Sequence, residues 1–218
     1  VEQTASISTS PVATPSIRWN GLVKNPSLWI LFVHVSLLAS AFWLCNGWLP
    51  VFLKENFSMG LGNAGISATG FVQTASFAGI LIGGWWADRW FRTNRNARIF
   101  VPLIGFLIAA PAFAGMACTS VLAIAVFGMI IFGLARGFSD ANLMPLVCQI
   151  VPDNQRATAY GILNLSGCLT GGLLIYAGGY LRDHGFNLSN AFLTAAGMMF
   201  IAACLLLLLR NKTPAAQS

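Results

Sequence analysis

Formal charge is scarce in this sequence: 8% of its 218 residues are Asp, Glu, Lys or Arg, where a soluble domain carries about a quarter. A chain so poor in charge cannot cover a water-facing surface, which excludes an ordinary soluble domain. Histidine is scarcer still, with His34 and His184 alone. No Ser-His-Asp constellation, Walker loop or metal-ligand spacing occurs, so no cofactor or metal is expected and the chain is not read as an enzyme. The five cysteines (Cys45, Cys118, Cys148, Cys168, Cys204) form no C-x-x-C pair, which argues against a disulfide framework or a zinc site and leaves them as small hydrophobes. The sequence starts Val1-Glu2-Gln3 without methionine, and no secretory signal precedes its first apolar run. Residues 1–16 are rich in Ser, Thr, Ala and Pro without hydrophobic periodicity, as in a flexible linker. A fragment or one half of a longer protein, entered through its linker, is therefore expected.

What is abundant is apolar sequence: 56% hydrophobic residues and a mean hydropathy of +0.72. Each membrane crossing needs about 20 apolar residues. Six runs meet this, at 27–53, 62–86, 99–118, 121–148, 157–181 and 191–209. Before the first, Ile17–Lys24 reads as a short interfacial helix with Trp19 at headgroup depth, and Pro26 suits a helix start. The expected organisation is a cytoplasmic linker and interfacial segment over 1–25, a six-helix transmembrane domain over 26–210, and a cytoplasmic tail over 211–218.

Lysine and arginine counting sets the orientation. With the amino end inside, the inner segments hold Arg18, Lys24, Arg89, Arg92, Arg95, Arg98, Arg156, Arg210 and Lys212, and the outer loops hold Lys54 and Arg182. Nine against two places both ends in the cytoplasm of a multi-pass cell-membrane protein. The net charge of +6 is thus topology and contact with the lipid bilayer, not a nucleic-acid footprint.

Polar side chains are unevenly shared. Spans three and six are bland, whereas spans one, two, four and five carry His34, Asn46, Gln73, Arg136, Asp140, Asn142 and Asn164. Bland helices belong against lipid and polar ones against a cavity, so every third helix is expected to be peripheral, as in a three-plus-three repeat. A weak echo agrees: Gly83-Gly84-Trp85-Trp86-Ala87-Asp88-Arg89 ends span two, and Gly178-Gly179-Tyr180-Leu181-Arg182-Asp183 ends span five.

Arg136 is the most informative single residue. It lies about 15 residues, or roughly 22 Å, into span four, where a charge costs on the order of 3 kcal/mol unless it faces a wet cavity or a partner. Asp140, four residues on, shares its face. Two readings stand: a self-neutralising pair near the cytoplasmic end, or a site for anion binding or proton coupling. Trp43 and Asn46 in span one, Gln73 in span two, and Tyr160 and Asn164 in span five are the other candidates for substrate contact, each alongside a packing reading. The glycines of spans two and five read as helix-packing positions. His34, in an apolar run, reads as a satisfied histidine facing another helix.

The stretch Gly83-Gly84-Trp85-Trp86-Ala87-Asp88-Arg89, followed by Arg92, Arg95 and Arg98, resembles the signature loop of the major facilitator superfamily of secondary transporters. In that family the loop joins the second and third helices of each six-helix half, and here it joins spans two and three. Its usual ending, glycine then two basic residues, is loosened here. Arg156-Ala-Thr-Ala-Tyr-Gly161 is similar to the superfamily's entry into its penultimate helix. Trp48-Leu-Pro-Val-Phe-Leu53 resembles a run in the anion:cation symporters, a branch that carries organic acids.

The resemblance covers about residues 17–210. It implies an all-α integral membrane fold, with six transmembrane helices as two inverted three-helix repeats, forming the carboxy-terminal half of a twelve-helix transporter. The partners it implies are a small-molecule substrate, a coupling ion (proton or sodium) and an amino-terminal six-helix half. The function it implies is secondary active transport of a small polar or anionic organic solute by alternating access. Sugar acids are the first expectation, with neutral sugars and drugs left open. It also implies a gating role for Gly84, Asp88 and Arg89, the aspartate docking on a helix end of the opposite half. The alternatives are a membrane-embedded signalling or scaffold module, or an inactive transporter fragment.

Overall fold

The computed structural model describes residues 22–210. Six long helices follow one another: α1 (Pro26–Phe57), α2 (Leu61–Phe91), α3 (Ala97–Cys118), α4 (Leu122–Ile150), α5 (Arg156–Asp183) and α6 (Leu188–Arg210). All six are long and apolar enough to cross a membrane, and there is no strand among the described residues. The expected spans are all present, each within a few residues of its expected bounds. The proposed linker and the carboxy-terminal tail lie outside the described residues. So does most of the expected interfacial helix, of which Leu22 and Val23 are helical.

Local chemistry sets the helix ends. Asn25 caps α1, its side chain accepting from the backbone N–H groups of Ser27 at 3.0 Å and Leu28 at 3.4 Å, and Pro26 follows in the first turn. The Asn25 amide also donates to the Ile150 carbonyl at 3.1 Å, tying the start of α1 to the end of α4. Ser58, in the left-handed region at φ 52°, closes α1. Between α4 and α5 a single 3-10 turn, Asp153–Gln155, leads into Arg156. Arg156 donates to the carbonyls of Val151 at 3.3 Å and Cys148 at 2.9 Å, so a basic side chain satisfies the orphan end of α4.

The helices exchange partners. α4 packs chiefly on α2 and α3, whereas α1 packs chiefly on α5 and α6. Each three-helix unit thus lends its first helix to the other, and the bland pair α3 and α6 joins the units across the back. Glycines set the close approaches. A Cβ on Gly83 of α2 would lie 2.7 Å from the Phe138 ring of α4, and one on Gly178 of α5 would lie 2.9 Å from the Trp48 indole of α1. The two glycine-aromatic endings noted in the sequence therefore do equivalent packing at opposite ends of the bundle. Ion pairs sit beside both: Asp88 with Arg98 at 2.9 Å, and Glu55 with Arg182. Arg182, expected in an outer loop, is in the last turn of α5. Trp48 is half-buried and donates to the Ile175 carbonyl at 3.3 Å.

The bland helices α3 and α6 pack on each other, α3 also on α4 and α6 also on α1. Within this chain, buried positions make up 56% and 44% of their most apolar stretches, against 28% each for α2 and the α5 segment. Their inner faces supply the aromatic core: Phe113 lies 4.8 Å from Phe132 of α4 and 5.8 Å from Phe192 of α6, which is 4.9 Å from Phe52 of α1. In lipid, blandness does not distinguish a helix facing acyl chains from one packed on other apolar helices. His34 fits its expected role, buried with its Nδ1–H donating to the Ala202 carbonyl of α6 at 2.8 Å.

Candidate functional site

A cavity of about 230 Å³ opens between α1, α4 and α5, closed behind by Phe106 of α3. Its walls are mainly apolar, and its charged groups are Arg136 and Asp140. The helix spacing explains why these two meet: residues four apart on α4 lie one above the other. Arg136 Nε is 3.3 Å from Asp140 Oδ2. The pair is neither fully buried nor free, with the two side chains 26% and 43% exposed.

Arg136 has a second neighbour that sequence reasoning missed. Its guanidinium carbon lies 3.2 Å from the centroid of the Phe42 ring, so the cation is stacked on an aromatic face. Phe42 stands about 16 residues into α1 and Arg136 about 14 residues before the end of α4, and at 1.5 Å per residue these are nearly equal depths. That match of depths was the available signal. Nη1 of Arg136 is buried without a hydrogen-bond partner. A buried unpaired donor is costly, and here it belongs to a cation at a cavity wall.

Of the expected substrate contacts, the structure brings together Arg136, Asp140, Trp43, Tyr160 and Asn164, all lining this cavity, with Ser139 and Cys168 besides. Asn46 and Gln73 do not join them. Asn46 donates to the Phe42 carbonyl of its own helix at 2.9 Å and lines a separate crevice with Cys45, Thr69 and Val72. Gln73 is exposed on α2, which gives no residue to the cavity wall. Trp43 is held by α5: a Cβ on Gly171 would collide with its ring, and Gly167 lies against Ala39.

The loop residues gather at the end of the bundle where α2 gives way to α3. Asp88 and Arg89 lie in the last turn of α2, and the Asp88 carboxylate remains 65% exposed beside Arg98. Gly83, not Gly84, makes the tight contact within the chain; a Cβ on Gly84 would rest 3.8 Å from Ala141. Trp86 stacks on Trp90, and Trp90 on Phe100, a ladder that fixes the α2–α3 turn. Among the described residues no cluster of three or more His, Cys, Asp or Glu side chains could hold a metal ion.

Comparison with known proteins follows the same lines. The model of the Major Facilitator Superfamily matches residues 2–174 and 74–218. A curated relative, the probable L-galactonate transporter of Escherichia coli (strain K12), is 25% identical over 194 residues, covering 84% of this chain and 42% of its own length. A bacterial homologue of the human lysosomal transporter Spinster, inward-facing and occupied, superposes with a TM-score of 0.70 at 21% identity, over 88% of this chain and 50% of that one. The same protein, inward-facing and unoccupied, gives 0.58 at 19% identity. The chain therefore spans half or less of the length of these relatives.

Proposed function

The chain belongs to the major facilitator superfamily, and on that premise we propose that it is the carboxy-terminal half of a secondary active transporter for a small organic anion, a sugar acid. The observation that carries this reading is a guanidinium at membrane depth with one buried donor unpaired, facing a cavity between three helices. A carboxylate presents two oxygens to such a donor edge, and the apolar walls strengthen the contact by lowering the local dielectric. Asp140 neutralises the cation in the empty state, Tyr160 and Asn164 are the donors for hydroxyl groups of the solute, and Trp43 offers a flat face to its carbon skeleton. The similarity to a probable L-galactonate transporter agrees with that choice of anion.

Transport then follows by alternating access against an amino-terminal half, coupled to a proton or sodium gradient, with both ends of the chain and the α2–α3 loop in the cytoplasm. Asp88 and Arg89 gate the inner side, with Gly84 as the point of approach, its open side free of contacts tighter than 3.8 Å within this chain. The test is uptake of labelled L-galactonate by the full-length protein in proteoliposomes, under an imposed proton or sodium gradient. Saturable uptake, competed by other sugar acids and not by L-galactose, is expected. Uptake of the neutral sugar with none of the acid contradicts the reading.

A further inference from the structure

The guanidinium of Arg136 has three places to be met: its Nε side, its two faces, and the edge formed by its two terminal nitrogens. Asp140 holds the Nε side at 3.3 Å. Phe42 covers one face, with the guanidinium carbon 3.2 Å from the ring centroid. The terminal edge includes Nη1, buried and unpartnered. Phe42 is itself held in place: its ring meets Trp43 edge-on at 5.8 Å, and Trp43 is clamped over Gly171 of α5.

We propose that Phe42 is a positioning residue that turns Arg136 into a receptor for a planar monocarboxylate. This rests on the transport reading above and names the part of the solute that the site selects. Stacking on the ring fixes the plane of the guanidinium, so its terminal edge, which includes the unpartnered Nη1, is held ready to meet two coplanar oxygens. The charge inventory of the cavity supplies the rest of the selectivity. Arg136 and Asp140 are the charged groups that this chain gives to the cavity, and none comes from its α1, α3 or α5 walls. A second negative charge on the solute would find no further cation on this wall and would meet Asp140, so a dianionic solute of the same size binds less well.

The experiment is binding of labelled L-galactonate to the purified full-length protein, with galactarate, a sugar diacid, as competitor. Phe42→Leu and Phe42→Met keep an apolar side chain and remove the ring, Phe42→Tyr keeps the ring, and Arg136→Lys keeps the charge without a plane to stack. Both ring-less variants are expected to weaken galactonate binding tenfold or more and to narrow its preference over galactarate. Phe42→Tyr should stay within threefold of the unaltered protein. In the Arg136→Lys background, Phe42→Leu should add less than twofold, because no stacked plane is left to lose, whereas a merely structural role would give the same loss in both backgrounds. Galactonate affinity within twofold of the unaltered protein in either ring-less variant overturns the inference and leaves the transport reading intact. Absence of saturable galactonate binding by the unaltered protein is the distinct result that removes the transport reading, and this inference with it.

Discussion

Gly137 of α4 rides on the backbone of Ser76 in α2, so closely that a Cβ on Gly137 would run into the Ser76 carbonyl oxygen and come within 2.6 Å of the Ile80 nitrogen. Gly79 and Gly133 make the same kind of approach from either side. Small residues let helix backbones touch where no hydrophobic effect drives them together. Gly137→Ala should therefore cost about 1–3 kcal/mol, as overpacking does. Gly62 and Gly65, with nothing within 4 Å of an added Cβ, should accept alanine without loss. Thermal unfolding in detergent checks this, and a Gly137→Ala protein as stable as Gly65→Ala would contradict the packing.

Orientation gives the second prediction. Thr93 is exposed in the α2–α3 turn between Arg92 and Arg95, a loop whose positive charge belongs in the cytoplasm. In a background lacking the native cysteines, Thr93→Cys should resist an impermeant thiol reagent applied to intact cells and react once the membrane is permeabilised. Labelling from outside would reverse the assignment of both ends.

The third concerns Asp88. Its pair with Arg98 is surface-exposed and so contributes at most about 1 kcal/mol. Asp88→Asn should leave the melting temperature nearly unchanged. If the carboxylate also docks on a positive helix end of the other half, the same change should shift the full-length protein toward inward-open, read as greater cytoplasmic accessibility of cavity cysteines. Unaltered accessibility would leave Asp88 as a topology signal.

Much of this architecture was legible in the residues. The six spans follow from apolar length, and the Arg136–Asp140 pair follows from a four-residue spacing on a helix. The small-residue stripe of α2 was readable as packing; within this chain Gly79 and Gly83 make close approaches, and Gly62 and Gly65 have nothing within 4 Å of an added Cβ. What could not be read was the rotation of each helix about its axis. In water an amphipathic stripe announces the inward face. In lipid both faces are apolar, so nothing in the sequence told Gln73 and Asn46, which do not line this cavity, from Tyr160 and Asn164, which do. The stacking of Phe42 on Arg136 was hidden for the same reason: it joins α1 to α4, residues far apart in sequence, and depends on both rotations.

The most direct test of the site pairs Arg136→Ala with Asp140→Ala. Alone, Arg136→Ala leaves Asp140 without its cation. A fully buried broken pair costs about 3–5 kcal/mol, and this one, partly exposed, should cost less. The double variant removes both charges and should recover stability. The measurement that decides is L-galactonate uptake by that double variant in proteoliposomes. If Arg136 holds the carboxylate of the solute, uptake stays below about a tenth of the parental rate, since a tenfold loss corresponds to about 1.4 kcal/mol of lost interaction. If the pair serves only to neutralise itself, uptake returns to the parental rate, and Arg136 is not part of the substrate site.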